Sequence, residues 1–429
     1  MKKITFHTIA ALLALGLVCC SNLAQAQAGS LDTTFGTGGI ATTSFADGVA
    51  GVGAFEQSNG DIVAVAQVDF VDNVGTGIGL VRYTSTGELD TTFGTNGITV
   101  TSFAGLAFDP FGFAMQTNGD FLVGGVATTK SGRNEFGLVR YTSNGVLDTT
   151  FGTAGLVTTK VGTRSDAPSA LLLQPNGQIL MGGFEVAGDN IPGMMSLVRY
   201  NADGGLDTTF GKGGISLASV TFLGPETLAL LSNGDYLAVG EDANFNTGLV
   251  AEFSSKGVLL SKVTSAKVVA GLWSSQGAVP NVMFQSPTIF QPNGRYIVAS
   301  TSCTFHSECR GTRIGVARFL ETGKTDTTFT ATVESFNPRQ TTSVALAVAL
   351  QANGQIVVGG LITPTSGGLV RLDSSGELDT TFGTVDSFGI CCSVTSDQTF
   401  SGLLIQTDGK IVAIGALNGD LAVARYLAN

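Results

Sequence analysis

Four stretches of the chain repeat almost the same words: GSLDTTFGTGG at Gly29–Gly39, GELDTTFGTNG at Gly87–Gly97, GVLDTTFGTAG at Gly145–Gly155 and GGLDTTFGKGG at Gly204–Gly214. Leu31, Leu89, Leu147 and Leu206 therefore recur every 58 or 59 residues. TDTTF from Thr325 and LDTTF from Leu378 add two more copies, and Gly257-Val258-Leu259-Leu260 is an eroded one. A repeat of this length points to stacked supersecondary units, each unable to bury its apolar faces alone.

Two further markers keep the same count of seven. Turn dipeptides stand at Asn59-Gly60, Asn118-Gly119, Asn176-Gly177, Asn233-Gly234, Asn293-Gly294, Asn353-Gly354 and Asp408-Gly409, each between apolar runs. They predict hairpins with two-residue primed turns, in which both residues take positive φ. Strands ending in Arg-Tyr or a relative close at Tyr83, Tyr141, Tyr200, Phe253, Phe319, Leu372 and Tyr426. Each unit thus reads as strand, hairpin turn, strand, variable loop, strand, LDTTFG loop and fourth strand. The prediction is an all-β, seven-bladed β-propeller of four-stranded antiparallel blades. Residues 29–45 supply a motif loop and fourth strand with no first three strands; LAVARYLAN at the other end supplies a third strand with no fourth. The N-terminal strand is expected to complete the last blade and close the ring, leaving no open edge.

Composition agrees. The chain has 429 residues, 59 of them Gly, and only 13% are charged. Gly and β-branched residues disfavour helices and suit short strands with tight turns. Residues 1–28 read as a secretory signal: Lys2 and Lys3, an apolar stretch from Ile9 to Val18, then Ala24-Gln25-Ala26 or Ala26-Gln27-Ala28 as the small-x-small cleavage pattern. Cys19 and Cys20 raise a lipoprotein anchor as the rival reading, disfavoured because the residues before them lack the usual small side chain. Residues 29–429 are expected to form one domain, monomeric and exported to the periplasm, cell surface or medium. No later apolar run is long enough to be a membrane helix. Without Lys2 and Lys3, 20 basic residues face 33 acidic ones, a net charge of −13. Such a surface repels phosphate backbones, so nucleic acid is not an expected partner.

The repeated motif reads as scaffold. Copies spread around a ring cannot converge on one substrate. Asp32, Asp90, Asp148, Asp207, Asp326 and Asp379 suit acceptance of N–H bonds from the following Thr residues. Phe35, Phe93, Phe151, Phe210, Phe329 and Phe382 suit wedges between blades. The Leu is expected to bury in its blade, and the Gly after Phe to supply a backbone angle closed to other residues. Repeated calcium binding is the alternative, but the motif lacks clustered carboxylates.

These units resemble the delta-60 repeat family of bacterial β-propellers, with its G-x-L-D-x-[ST]-F-G signature and its Q-x-[ND]-G-K-I-x-x-x-G hairpin. GELDTTFG, QPNGQILMGG and QTDGKIVAIG carry the likeness. It extends over residues 29–429, weakening between about Val250 and Thr330. The resemblance implies the fold and an exported or surface location. It implies no agreed activity and assigns no catalytic residue.

Candidate ligand contacts therefore come from the variable loops between second and third strands, because function concentrates on loops over a rigid frame. They are Asp69, Asp72, Arg133, Asp189, Glu241, Asp242, His306 and Arg310. Cys303 and Cys309, six apart, are expected to form a disulfide; Cys391 and Cys392 are left open. Outside the signal there is one His, His306, which strains any multi-histidine metal site or Ser-His-Asp arrangement. No metal, cofactor or catalytic set is expected. Trp273, the single Trp, argues against a quinone-cofactor propeller, and GTGIG at Gly75–Gly79 lies in a hairpin rather than before a helix. The expected function is a non-catalytic scaffold binding a protein or glycan. The alternative is a lactonase-like or lyase-like enzyme at the channel mouth, drawing on Glu226, His306, Arg310 and Arg313.

Overall fold

A computed structural model describes residues 27–428 apart from 46–47, 71–74, 164, 189–190, 221, 243–247, 266–286, 304–311, 331, 335–343, 364–365, 386–390 and 396–397. It is an all-β propeller of seven blades. Blade 1 comprises Val49–Glu56, Ile62–Phe70, Gly75–Tyr83 and Ile98–Thr101. Blade 2 comprises Leu106–Met115, Phe121–Thr129, Asn134–Tyr141 and Leu156–Thr159. Blade 3 comprises Ser165–Leu173, Ile179–Gly188, Ile191–Tyr200 and Ile215–Ala218. Blade 4 comprises Phe222–Leu230, Tyr236–Asp242, Gly248–Phe253 and Leu259–Ser265. Blade 5 comprises Thr288–Phe290, Tyr296–Cys303, Thr312–Phe319 and Thr332–Glu334. Blade 6 comprises Val344–Leu350, Ile356–Thr363, Ser366–Leu372 and Cys391–Thr395, with Thr384–Val385 as a fifth strand.

Blade 7 carries the closure. Gln398–Ile405, Ile411–Leu417 and Asp420–Tyr426 are completed by Ile40–Thr43, which pairs antiparallel with the third strand from Ile40 opposite Ala424 to Thr43 opposite Leu421. The first strands meet their neighbours around the whole ring, blade 7 against blade 1 included, and so line the centre. Among the described residues no helix is long and apolar enough to cross a membrane.

Second strands are buried on both faces. Ile62 through Ala66 form an unbroken, fully buried run because each blade is covered by two neighbours. The apolar clusters accordingly straddle blades: Val63, Val65 and Leu80 of blade 1 pack with Phe121, Val123 and Val139 of blade 2 around Phe93.

Two local details differ from the sequence expectation. The hairpins at Asn59-Gly60 and its equivalents are three-residue loops: Gly60 N–H donates to Gln57 O at 2.9 Å, Gln57 N–H donates to Asp61 O at 2.8 Å, and only Gly60, at φ +86°, is left-handed. Asn59 instead caps the turn, its Oδ1 accepting Asp61 N–H at 3.1 Å. An ordinary turn followed by a left-handed Gly therefore replaces the primed turn. A primed Asn-Gly does occur elsewhere, at Asn418-Gly419 (φ +54° and +89°), where only two residues separate the strands. The motif Leu, expected to bury in its blade, is only half-buried: Leu31, Leu147 and Leu378 pack against the edges of the core clusters, whereas Leu89 and Leu206 are 37% and 36% exposed. Leu31, Leu89, Leu147 and Leu206 each pack on the Gly just before the outer strand, and a Cβ on Gly97 would come within 2.5 Å of Leu89.

Candidate functional site

In each antiparallel blade the hairpin between first and second strands and the loop between third and fourth lie at one end. The connection between second and third strands lies at the other. The repeated motif and the variable loops therefore occupy opposite faces.

On the motif face the third-strand Arg joins the motif into one unit. Arg82 Nε donates to Asp90 Oδ2 at 2.8 Å, its Nη2 to Thr92 Oγ1 at 3.1 Å, and its Nη1 to the Ser143 carbonyl of blade 2 at 3.3 Å. Its guanidinium lies 4.8 Å over the Phe93 ring. Asp90 Oδ1 accepts both the N–H and the hydroxyl of Thr92, at 2.9 and 2.7 Å. Phe93 in turn lies under the turn of blade 2, where a Cβ on Gly145 would come within 2.3 Å of its ring. Gly94 N–H donates to Asn144 O of the same turn at 2.9 Å.

The same stitch runs from blade 2 to 3 through Arg140, Asp148 and Ala202 O, and from 3 to 4 through Arg199, Asp207 and Ser255 O. It runs from 5 to 6 through Arg318, Asp326 and Ser374 O, from 6 to 7 through Arg371, Asp379 and Ala428 O, and from 7 to 1 through Arg425, Asp32 and Ser85 O. The corresponding rings are Phe151, Phe210, Phe329, Phe382 and Phe35. The arginines and aspartates are largely buried, so the bonds form out of water, where charge-assisted contacts are strong.

The acidities follow. Thr92 and Thr150 hydrogen bonds hold the Asp90 and Asp148 carboxyls below the usual range. At Asp207 and Asp326 burial alone would raise the value, but the Thr hydroxyl and N–H together with Arg outweigh it, bringing Asp326 down to about 2. Across the seams, buried tyrosines meet the outer strand of the preceding blade: Tyr83 Oη lies 2.6 Å from Thr43 Oγ1, and Tyr200 donates to Thr159 at 2.9 Å. Burial pushes the Tyr83 phenol up to about 12.

Blade 4 departs from this plan. Glu252 stands where the other blades carry Arg, and Leu260, eight residues on, where they carry Asp. Glu252 accepts a bond from Ser261 of its own blade. The seam to blade 5 is apolar, built from Leu237, Val239 and Val250 against Tyr296, Val298 and Phe319. Tyr236, the counterpart of Tyr296, meets the motif Phe210 edge-on; Tyr296 instead stacks on Phe319, ring centroids 5.2 Å apart.

On the opposite face, the described candidates fall into different roles. Asp69 lies within a strand, and Glu241 and Asp242 end one. Arg133 reaches the connection from blade 2 to blade 3, donating from Nη2 to Gly162 O at 2.7 Å and from Nη1 to Thr163 O at 3.4 Å. Beside it, Glu185 Oε1 accepts Thr163 N–H at 3.0 Å. Fully buried Asp166 accepts Val161 N–H at 2.9 Å and Gly162 N–H at 2.7 Å, and burial raises its carboxyl above the usual range. This cluster holds the connection between blades 2 and 3. Arg133 Nε also lies 3.4 Å from Glu135 Oε1. Neither Asp166 nor Glu135 is among the residues that the sequence singles out; the available signal is Asp166 two residues before Pro168, where blade 2 has the apolar Phe108 before Pro110. Asp72, Asp189, His306 and Arg310, with Cys309 and Trp273, lie outside the described residues. Cys303, Cys391 and Cys392 are placed on strands by their backbone alone.

Each described inner strand long enough to show it carries a β-bulge. The register skips Val52, Phe111, Ser169, Glu226, Leu346 and Ser401. Bulges re-aim side chains, and Glu226 is the ionisable member of this set. Two grooves of about 730 and 800 Å³ run along the outer wall, between Thr99–Thr101 and Val146 at one seam and between Leu156–Thr158 and Gly205 at the next. Their equivalent positions mark them as products of blade stacking. Among the described residues no group of three His, Cys, Asp or Glu is placed to hold a metal.

Fold and repeat define the chain as a β-propeller repeat protein. A family described as a domain of unknown function (DUF5122) beta-propeller matches residues 57–93, 116–151, 174–210, 351–382 and 406–429. The first four matches each run from the hairpin glutamine to the motif Phe, the portion that forms the stitch, and the whole of blades 4 and 5 falls outside all five. No curated protein matches by sequence. The fold is similar to a Penicillium chrysogenum alpha-L-arabinanase (13% identity, 88% of this chain and 93% of that one, TM-score 0.46). It is similar to the Hadza microbial sialidase Hz136 (12%, 77% and 64%, 0.45) and to Pyrococcus horikoshii acylaminoacyl peptidase (8%, 86% and 49%, 0.42). The chain thus spans about half to two thirds of the length of the latter two. At these identities the likeness concerns fold and carries no activity across.

Proposed function

We propose that the protein is an exported propeller of the delta-60 repeat type that acts as a binding scaffold for a protein or glycan, through the face opposite the repeated motif. The observation that carries this reading is the saturation of the motif. In six copies the Asp gives one oxygen to Thr and the other to Arg, leaving none of these carboxylates free for chemistry. Variation between blades is then concentrated at the other face, as expected of a recognition surface on a repeating frame. The acidic balance of the mature chain favours neutral or basic partners over phosphate-rich ones.

The test is a glycan array probed with the mature chain and with a variant whose Glu241–Asn246 segment is replaced by Gly and Ser. A specific signal lost in the variant supports glycan binding at that face. A signal retained moves the site elsewhere, and conversion of a bound glycan to product overturns the non-catalytic reading.

A further inference from the structure

In six blades the turn after the third strand follows one pattern. In blade 1, Gly87 N–H donates to Thr84 O and Thr84 N–H to Glu88 O; within that turn, Ser85 O accepts Arg425 and Thr86 O accepts Gly36 N–H of blade 7. The carbonyl before the left-handed Gly is the recurrent acceptor. Asn144 O takes Gly94 N–H, Lys256 O takes Gly211 N–H and Ser375 O takes Thr330 N–H, at 2.8–2.9 Å.

In blade 7 this turn is assembled from two separate pieces of chain. Gly29, at φ +81°, donates to Leu427 O at 2.7 Å, and Leu427 donates to Ser30 O at 2.9 Å. Leu427 thus stands for Thr84 and Gly29 for Gly87. Ala428 O accepts Arg371 Nη1, as Ser85 O accepts Arg425. Ala28 O accepts Gly383 N–H at 2.7 Å, as Thr86 O accepts Gly36. Ala28 is buried, and Gln27 adds three contacts: its carbonyl accepts the Ser30 N–H at 2.9 Å and the Ser30 hydroxyl at 2.6 Å, and its Nε2 donates to Gly383 O.

The sequence offers two cleavage patterns, ending at Ala26 or at Ala28. Cutting after Ala28 would remove one of the two carbonyl acceptors that join blade 6 to the turn of blade 7, leaving Ala428 O but depriving Gly383 N–H of its partner; an unmet buried donor is costly. Cutting after Ala26 preserves every bond of the turn. We propose that the leader is removed between Ala26 and Gln27, and that Gln27 and Ala28 form the latch that completes the turn of blade 7 and its seam with blade 6. The inference rests on the export reading.

The test is the intact mass of the protein recovered after export of the full chain in a bacterial host. A product beginning at Gln27, with or without the loss of ammonia that accompanies cyclisation of an N-terminal glutamine, supports the assignment. A product beginning at Gly29, or at a lipidated Cys19 or Cys20, overturns it while leaving export standing. An uncleaved chain overturns both. In parallel, purified chains beginning at Gln27 and at Gly29 are compared by thermal melting. The shorter chain is expected to melt about 2–4 °C lower; equal midpoints overturn the latch.

Discussion

The seam between blades 3 and 4 and the seam between blades 4 and 5 use different physics. The first is stitched: Arg199 Nε donates to Asp207 at 2.8 Å, the guanidinium stacks 4.6 Å over Phe210, and Nη1 reaches both Tyr236 Oη and Ser255 O of blade 4. The second has Glu252 at the Arg position and relies on apolar packing, with Leu237, Val239 and Val250 of blade 4 against Tyr296, Val298 and Phe319 of blade 5. A stitched seam fixes the register of neighbouring blades through directional bonds. An apolar seam supplies burial without direction. The repeat therefore does more than fill volume: it sets how one blade is aligned on the next.

The stitched seam is most sensitive at the wedge. Phe210→Ala removes a fully buried ring that packs under Gly257 and edge-on against Tyr236. It is expected to cost about 3–5 kcal/mol in urea unfolding. Arg199→Met comes next, at about 3 kcal/mol, because it leaves Asp207 buried without its cation. Pairing it with Asp207→Asn should recover part of the loss. If the double variant is less stable than the sum of the two single changes, the pair is not the coupling element.

Acid should act on stitched seams selectively. The folded-state Asp values lie below the ordinary value of 3.8 and that of Asp326 is about 2, so the unfolded chain binds protons first as pH falls. Their stabilisation is complete above about pH 5 and is lost progressively toward pH 2. Unfolding midpoints measured from pH 6 to pH 2 should fall over that range, and Arg199→Met should flatten the dependence. An unchanged slope would show that the aspartates do not contribute. The smallest effect belongs to Glu252→Gln, expected within about 0.5 kcal/mol of the parent because no stitch depends on it. A loss comparable to that of Arg199→Met would mean that the fourth seam is stitched in another way.

Much of this was legible in the chain. Three independent markers agree on seven units, and the partial units at residues 29–45 and 421–429 point to the closure that Ile40–Thr43 makes with Asp420–Tyr426. The role of the Arg was less apparent, although its signal was present: Arg precedes the motif Asp by eight residues in five copies, and blade 4 loses both together, at Glu252 and Leu260. The primed-turn expectation missed because an Asn-Gly pair also suits a three-residue loop, in which Asn bonds its own backbone and Gly alone is left-handed. The face opposite the motif is marked in the sequence only by variation, and Arg133 and Glu185 on it hold the connection between blades 2 and 3.

Local patterning and periodicity encode the repeat, the blade count, the strand order within a blade and the ring closure, so these can be read along the chain. Which groups meet across each seam follows from how the blades stack. Arg82 and Ser143, or Gly383 and Ala28, are far apart in the chain, and their bonds exist only once neighbouring blades have stacked. Spacing along the sequence carries no trace of such a pairing, whereas the burial that stacking creates makes those bonds strong.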